Sequence, residues 1–274
     1  MVDQCTEIGI WLGLIVGNSR LHWARFQGDR LVSAWDTEHL QRPTPKPEAV
    51  PLLFASVVPA QTRLIRALAS THEITLADIP IGQLYPTLGI DRALALLGAG
   101  QRYGWPVLVI DGGTALTLTG ADGQGNLVGG AILPGIQLQL ESLAQGTAAL
   151  PYLRSCSDPN SPDQNGSDQN SLLPQRWART TEGAIASGVL HGLTDTLQAY
   201  IQDWKQQFPD SPILLTGGAA GQLAAILPPL PVEACLAAWG VRTVWRSQQA
   251  SSVRSDPPPP PSAWMPADSS PQHP

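Results

Sequence analysis

Apolar residues fill Val107–Ile110 without a break, and Asp111, Gly112 and Gly113 close the run. An unbroken apolar stretch of this length suits a strand buried on both faces. Thr114, Thr117 and Thr119 follow in a β-prone segment, and Asp122-Gly123 with Gln124-Gly125 reads as the turn of a hairpin into a further strand. The same order occurs near the start. Residues 9–35 run strand, tight turn at Gly17-Asn18-Ser19, strand, turn at Gly28-Asp29, strand. A third signal, ILLTGGAAGQLAAIL at 213–227, reads as strand, glycine turn and helix. Helical spacing places Ile90, Ala93, Leu94 and Leu97 on one face of a helix over 90–101. It also places Ile185, Val189, Leu193, Leu197 and Ile201 on one face of a helix over 181–205.

Three strands followed by helices, given twice, predict a duplicated ribonuclease-H-like α/β fold with two mixed sheets and flanking helices. The expected division is a first domain over 1–105 and a second over 106–245. Within the second, 157–175 is dominated by Ser, Asp, Asn, Gln and Pro and reads as an inserted surface loop. From 246 to 274 the chain is polar and proline-rich, with five consecutive prolines at 257–261, and reads as a disordered or locally polyproline II tail. A shorter proline-rich stretch at 42–51 reads as a loop.

Composition narrows the chemistry. The formal net charge is −6 and Lys46 and Lys205 are the only lysines, which argues against nucleic acid as a partner. Neither lysine lies in a GxxxxGK[ST] context, so a P-loop is excluded. Any nucleotide phosphates must then be held by backbone amides, hydroxyls and a metal. Cys5, Cys156 and Cys235 are odd in number and widely spaced, which disfavours a disulfide framework or zinc site and fits a reducing compartment. Asp3 and Glu7 precede a short apolar run, unlike a signal peptide, and no apolar stretch approaches membrane-spanning length. The expectation is a cytoplasmic protein with no membrane association.

At Asp111–Thr114 a carboxylate at a strand end stands beside open glycine amides and a hydroxyl. These are parts for holding a metal ion and a polyphosphate, although a glycine-rich hairpin with a capping Asp uses the same residues. In a duplicated fold of this kind the nucleotide lies in the cleft between the halves. It is touched there by the first turn of each half and by a late glycine turn.

The motifs VGNSR (16–20), YPTLGIDR (85–92), DGGTA (111–115), GGAILPGIQLQLESLAQGTAALP (129–151), RTTEGAIASGVLHG (179–192) and LLTGGAAGQL (214–223) occur in this order. In order and spacing the chain resembles the type III pantothenate kinases, also called the Bvg accessory factor family, of the actin-like ATPase superfamily. The likeness runs from about residue 9 to 245. It implies transfer of the γ-phosphoryl group of ATP to pantothenate, giving 4′-phosphopantothenate in the first step of coenzyme A biosynthesis. It also implies Mg²⁺, a monovalent cation (K⁺ or NH₄⁺) and a homodimer.

Residue by residue, the resemblance makes Asp91 the base that receives the alcohol proton, whereas on its own Asp91 reads as a carboxylate at a helix N-terminus. Tyr85, Gly89, Ile90, Asp91 and Arg92 match the pantothenate-contacting region, where Arg92 would hold an anionic group or else form an ordinary surface pair. Gly17, Asn18, Ser19 and Arg20 match the first phosphate loop, with Ser19 where the family usually has Thr. Thr114 matches a phosphate-contacting hydroxyl and Asp111 the monovalent-cation ligand. Thr181 matches a substrate-contacting threonine that reaches the neighbouring subunit's site, and alone it reads equally as a helix cap.

One departure matters. The family's first motif is D-x-G-N-T, and its Asp is replaced here by Ile15. An isoleucine cannot ligate a metal, so two other readings stay open beside the kinase. One is a non-catalytic regulatory or binding member of the same family. The other is an actin-like kinase for a different small hydroxyl or carboxyl substrate. The surviving Asp91, Asp111, Thr114 and Thr181 favour retained activity. A dehydrogenase is disfavoured because no strand is followed by G-x-G-x-x-G.

Overall fold

The computed structural model describes residues 9–43, 49–154 and 173–254. Strands β1 (Ile10–Val16), β2 (Leu21–Gln27) and β3 (Arg30–Thr37) form an antiparallel meander. Strand β4 (Leu52–Ser56) returns to lie parallel to β1, helix α1 (Pro59–Arg66) follows, and β5 (Thr71–Glu73) extends the sheet. Proline at the first position of α1 suits a helix start, where a missing N–H costs nothing. Helix α2 (Ile90–Tyr103) then leads to a second meander of β6 (Val107–Gly112), β7 (Ala115–Ala121) and β8 (Leu127–Pro134). After α3 (Ile136–Gly146) and α4 (Thr181–Gln207), β9 (Ile213–Thr216) pairs in parallel with β6. Helices α5 (Ala220–Ile226) and α6 (Leu236–Arg254) complete the chain as described.

The sheet orders are β3-β2-β1-β4-β5 and β8-β7-β6-β9. The shared order is the duplication that the strand pattern predicts. The third sequence signal, β9, fills in the second sheet the place that β4 fills in the first. In each half the central strand ends at a glycine-containing turn, so both turns lie at the same end of their sheets.

Alternation along β1 divides the core. Leu12, Leu14 and Val16 share one cluster with Leu52 and Phe54 of β4 and Ile65 of α1. Trp11 and Ile15 share another with α2, α6 and the Val107, Val109 and Leu214 face of the second sheet. The opposite face of that sheet, through Leu108, Ile110, Leu116 and Leu118, packs with residues of α3, α4 and α5. Helices α2 and α6 therefore pack together in one core, α2 against strands of both sheets and α6 against those of the first. They cross closely: a Cβ at Gly98 would lie 2.0 Å from the Leu236 carbonyl oxygen, and one at Gly240 would lie 2.1 Å from that of Leu94. Glycine at both positions lets the backbones touch.

The predicted helices and turns are found where the patterns put them, with ends shifted by at most two residues. The expected start of the tail at 246 is corrected. Helix α6 continues to Arg254, and its inner face carries Val241 and Val244 into the core while Trp245 stacks on Trp11 at 4.8 Å. The helix also packs on α2 and β1, so the chain returns to the first half after completing the second sheet. Most of the 157–175 insertion, the middle of 42–51 and the prolines at 257–261 lie outside the described residues.

Candidate active site

The first turns of the two halves meet. Ser19 Oγ, in the β1–β2 turn, lies 2.8 Å from Thr114 Oγ1 in the β6–β7 turn. Asn18, Ser19, Arg20 and Thr114 are all exposed, so this junction opens to solvent. Gly17 begins the first turn and donates its N–H to the Arg20 carbonyl at 3.0 Å.

Asp111 lies one residue before the end of β6, flanked in register by Thr117 and Thr216. Its carboxyl is pushed up from 3.8 to about 6, first by burial, then by the negative charge of Asp91, with His22 acting in the opposite direction. The charges of Asp91 and His22 are therefore within electrostatic range of Asp111. Among the described residues no cation forms an ion pair with Asp111, and no group of three or more His, Cys, Asp or Glu side chains is placed to hold a metal. A carboxylate that is desolvated, repelled by a second carboxylate and unpaired fits a bound cation, which would relieve both penalties.

The late glycine turn closes on the same carboxylate. Gly217 has φ 86°, and a Cβ there would lie 2.2 Å from Asp111 Oδ1. The left-handed backbone and the close approach both require glycine. Ala219 N–H donates to the Gly112 carbonyl at 2.8 Å, which ties the start of α5 to the β6–β7 turn.

Asp91 occupies the first turn of α2, whose N-cap is Gly89 and whose first residue, Ile90, is buried. Asp91 Oδ1 accepts the Arg92 N–H at 2.8 Å. The helix-end position anticipated from sequence is thus real, and a base at this position remains compatible with it, because Oδ2 has no hydrogen bond among the described residues. The partial positive charge of a helix N-terminus favours the ionised, proton-accepting form.

Arg92 departs from the surface-pair alternative. It is buried, with Nε donating to Thr119 Oγ1 at 3.0 Å, Nη2 to the Leu118 carbonyl at 3.0 Å and Nη1 to Tyr85 Oη at 3.2 Å. It therefore bolts the start of α2 to β7 and orients Tyr85, a residue that is 41% exposed. No carboxylate pairs with it among the described residues. Two of the five guanidinium N–H groups remain for another acceptor.

Thr181 is brought to a different place. The cap of α4 is Thr180, whose hydroxyl accepts the Gly183 N–H at 3.1 Å, so the capping alternative for Thr181 is corrected. Thr181 is exposed and lines an open cavity of about 820 Å³ between α3 and α4, with Gln139, Leu143, Leu150, Arg179 and Ile185. None of Tyr85, Asp91, Asp111 or Thr114 lines that cavity. Within one chain, Thr181 is separate from the cleft.

Comparison with known proteins completes the assignment. The profile of the family described as type III pantothenate kinase matches residues 46–203. A type III pantothenate kinase of Synechocystis sp. is 48% identical over 211 residues, covering 76% of this chain and 77% of its own length. The chain belongs to the type III pantothenate kinases. A second member, from Nostoc sp., is 42% identical over 270 residues, covering 85% of this chain and 94% of its own length. Among solved structures, a Campylobacter jejuni protein described as a Baf-family transcriptional activator superposes with a TM-score of 0.62 at 18% identity. It covers 87% of this chain and 99% of its own, and at that identity it speaks for the fold alone.

The fold also places Ile15 of this type III pantothenate kinase. Ile15 is 6% exposed and belongs to the core cluster shared with α2. In register it faces His22 on β2, which in turn faces Asp36 on β3, with His22 Nδ1 2.8 Å from Asp36 Oδ1. His22, His39 and the Gly217 contact were not singled out from sequence. The histidines belong to no motif, and only the alternation of β2 indicates that His22 shares a sheet face with Ile15. No described helix is long and apolar enough to cross a membrane.

Proposed function

We propose that this chain transfers the γ-phosphoryl group of ATP to the primary alcohol of pantothenate, forming 4′-phosphopantothenate and ADP in the first step of coenzyme A biosynthesis. The observation that carries the reading is the junction of the two glycine-containing turns through Ser19 and Thr114, beside a buried Asp111 carboxyl on which the charge of Asp91 acts. Phosphoryl transfer needs mainly positioning and charge neutralisation, plus a base for the attacking alcohol.

Each part of the cleft has a task in this reading. Asp91 Oδ2 receives the alcohol proton as the oxygen–phosphorus bond forms and the bridging bond to ADP breaks. Ser19, Thr114 and the amides of Gly17, Asn18, Ser19 and Arg20 bind phosphate oxygens. Tyr85, Gly89, Ile90 and Arg92 shape the pantothenate pocket, with Arg92 holding the tyrosine in place. Asp111 holds a monovalent cation, K⁺ or NH₄⁺. That ion and Mg²⁺, when bound, offset the charge of the transferring phosphates. Thr181 serves the site of a second copy, which makes the active form a homodimer, and the protein works in the cytoplasm.

An ADP-release assay with ATP, Mg²⁺ and pantothenate, with and without K⁺, and mass spectrometry of the product test the proposal. Phosphopantothenate with K⁺ stimulation is expected. Ile15 motivates the second reading, a nucleotide-binding member without catalysis. Pure protein that binds ATP yet makes no product under any cation would select it.

A further inference from the structure

The first phosphate turn is held by a side chain outside every motif. A two-residue hairpin turn is normally closed by two reciprocal backbone bonds between its flanking residues. Here only one is made, from the Gly17 N–H to the Arg20 carbonyl at 3.0 Å. The Gly17 carbonyl instead lies 2.9 Å from His39 Nε2. A carbonyl can only accept, so Nε2 carries the proton of this bond. The N–H groups of Asn18, Ser19 and Arg20 have no partner within the protein among the described residues. Three successive free amides at a turn form an anion-binding concavity. In a chain with two lysines, backbone donors carry unusual weight in binding phosphate.

His39 is itself held rigidly. It follows the end of β3, and its neighbour Leu40 is clamped on both backbone groups by Gln61 of α1. Gln61 Oε1 accepts the Leu40 N–H at 2.9 Å, and Gln61 Nε2 donates to the Leu40 carbonyl at 3.0 Å. Gln61 is buried, so the clamp is shielded from competing water. The path α1–Gln61–Leu40–His39–Gly17 joins the outer helix layer to the turn that faces Thr114.

We infer that His39 is a positioning residue for the polyphosphate of ATP: by holding the Gly17 carbonyl it fixes the plane of the Gly17–Asn18 peptide from which the first phosphate turn starts, a turn whose Asn18, Ser19 and Arg20 amides are free for phosphate oxygens. The inference rests on the reading of this cleft as an ATP site. It does not depend on which alcohol is phosphorylated.

Calorimetric titration of the full-length chain with ATP and with adenosine tests it. His39→Phe keeps a planar ring but has no donor, and it should weaken ATP binding about tenfold, the scale of one hydrogen bond to a charged ligand's binding loop. Adenosine affinity should not change. In His39→Gln the amide N–H replaces Nε2 at a similar reach, and ATP affinity should return to within about twofold of the native value. His39→Asn places its donor too close to the backbone and should behave like the Phe variant. ATP binding by His39→Phe at native strength overturns the inference, as does an equal loss for adenosine. If the Phe variant does not fold, equal ATP affinities for the Gln and Asn variants overturn it, and a Gln variant that binds better supports it. A native chain that binds ATP without phosphorylating pantothenate sinks the substrate assignment and leaves this inference standing. A native chain that binds no ATP overturns both.

Discussion

Ser19 Oγ and Thr114 Oγ1, 95 positions apart in the chain, meet at 2.8 Å across the cleft. Each belongs to the turn that follows the central strand of its sheet, so the bond joins equivalent points of the two halves. Each hydroxyl has a single proton, so in the bonded pair only the accepting one is left to donate to a phosphate oxygen, and both can do so only by giving up the bond between them.

Because the two hydroxyls act on one ligand, their deletions should not add. Thr114→Val and Ser19→Ala should each raise the ATP concentration for half-maximal rate by roughly tenfold. The double variant should be little worse than either single one, as expected of coupled neighbours. Fully additive losses in steady-state kinetics would show that the hydroxyls work independently.

Asp91→Asn keeps the size and the helix-end location of the side chain and removes its basicity. Turnover should fall by at least about 10², with ATP affinity and melting temperature nearly unchanged. The same substitution removes a charge that raises the Asp111 pKa, so Asp111 should titrate lower in the variant. Carboxyl NMR titration reads this directly. A variant with normal turnover would return Asp91 to a purely helix-terminal role.

The sign of the Asp111 effect on stability follows from its direction. Its folded pKa, about 6, lies above the ordinary 3.8, so the unfolded chain gives up this proton first. Below the ordinary value both states are protonated and Asp111 costs nothing. Stability is withdrawn as pH rises between the two values, and the full cost is present above about 6. Asp111→Asn should therefore be more stable than the native chain at pH ~8, by roughly 1 to 3 kcal/mol, with the gap closing near pH ~4. K⁺ should narrow the gap by stabilising only the native chain. Denaturant titrations at both pH values measure it, and a gap independent of pH would contradict the burial argument.

Ile15→Asp restores the carboxylate of the family motif, and two effects oppose each other. The position is almost fully buried among apolar residues, so the charge costs several kcal/mol, roughly 2 or more, unless paired. Melting should fall. The new charge also stands across the strand pair from His22, on the sheet face that it shares with that residue. The Mg²⁺ or K⁺ concentration for half-maximal activity should drop in the variant that still folds. A folded variant with native cation dependence would mean that position 15 does not face the phosphates.

Much of this site was legible because its parts are local. The apolar run ending at Asp111, the glycine pairs and the threonine alternation are set by strand periodicity and turn chemistry, which act over a few residues. Gly89–Arg92 was recognisable as a helix start for the same reason. What Arg92 does was not legible: its partners Thr119 and Leu118 lie 27 and 26 positions away, and a buried guanidinium looks like a surface one in sequence. Thr180 and Thr181 are adjacent and chemically alike, so only backbone geometry distinguishes the cap from its exposed neighbour. His39 carries no motif at all, since its role is a single bond to a carbonyl 22 positions earlier.

The amino-acid sequence by itself determined the strands, the glycine-containing turns, the repeated order of elements and the resemblance to its family. All of these depend on side-chain period, on backbone freedom at glycine, or on residues in consecutive order. The tertiary structure alone decided that Asp91 comes within electrostatic range of Asp111, that Gly217 closes on that carboxylate, and that Ile15 is sealed in the core. It also decided that α6 runs on to Arg254, because Val241, Val244 and Trp245 dock on a layer built by α2 and β1. These are consequences of packing. Charge repulsion, desolvation and helix length depend on what distant elements bring into contact, and no local pattern encodes that distance.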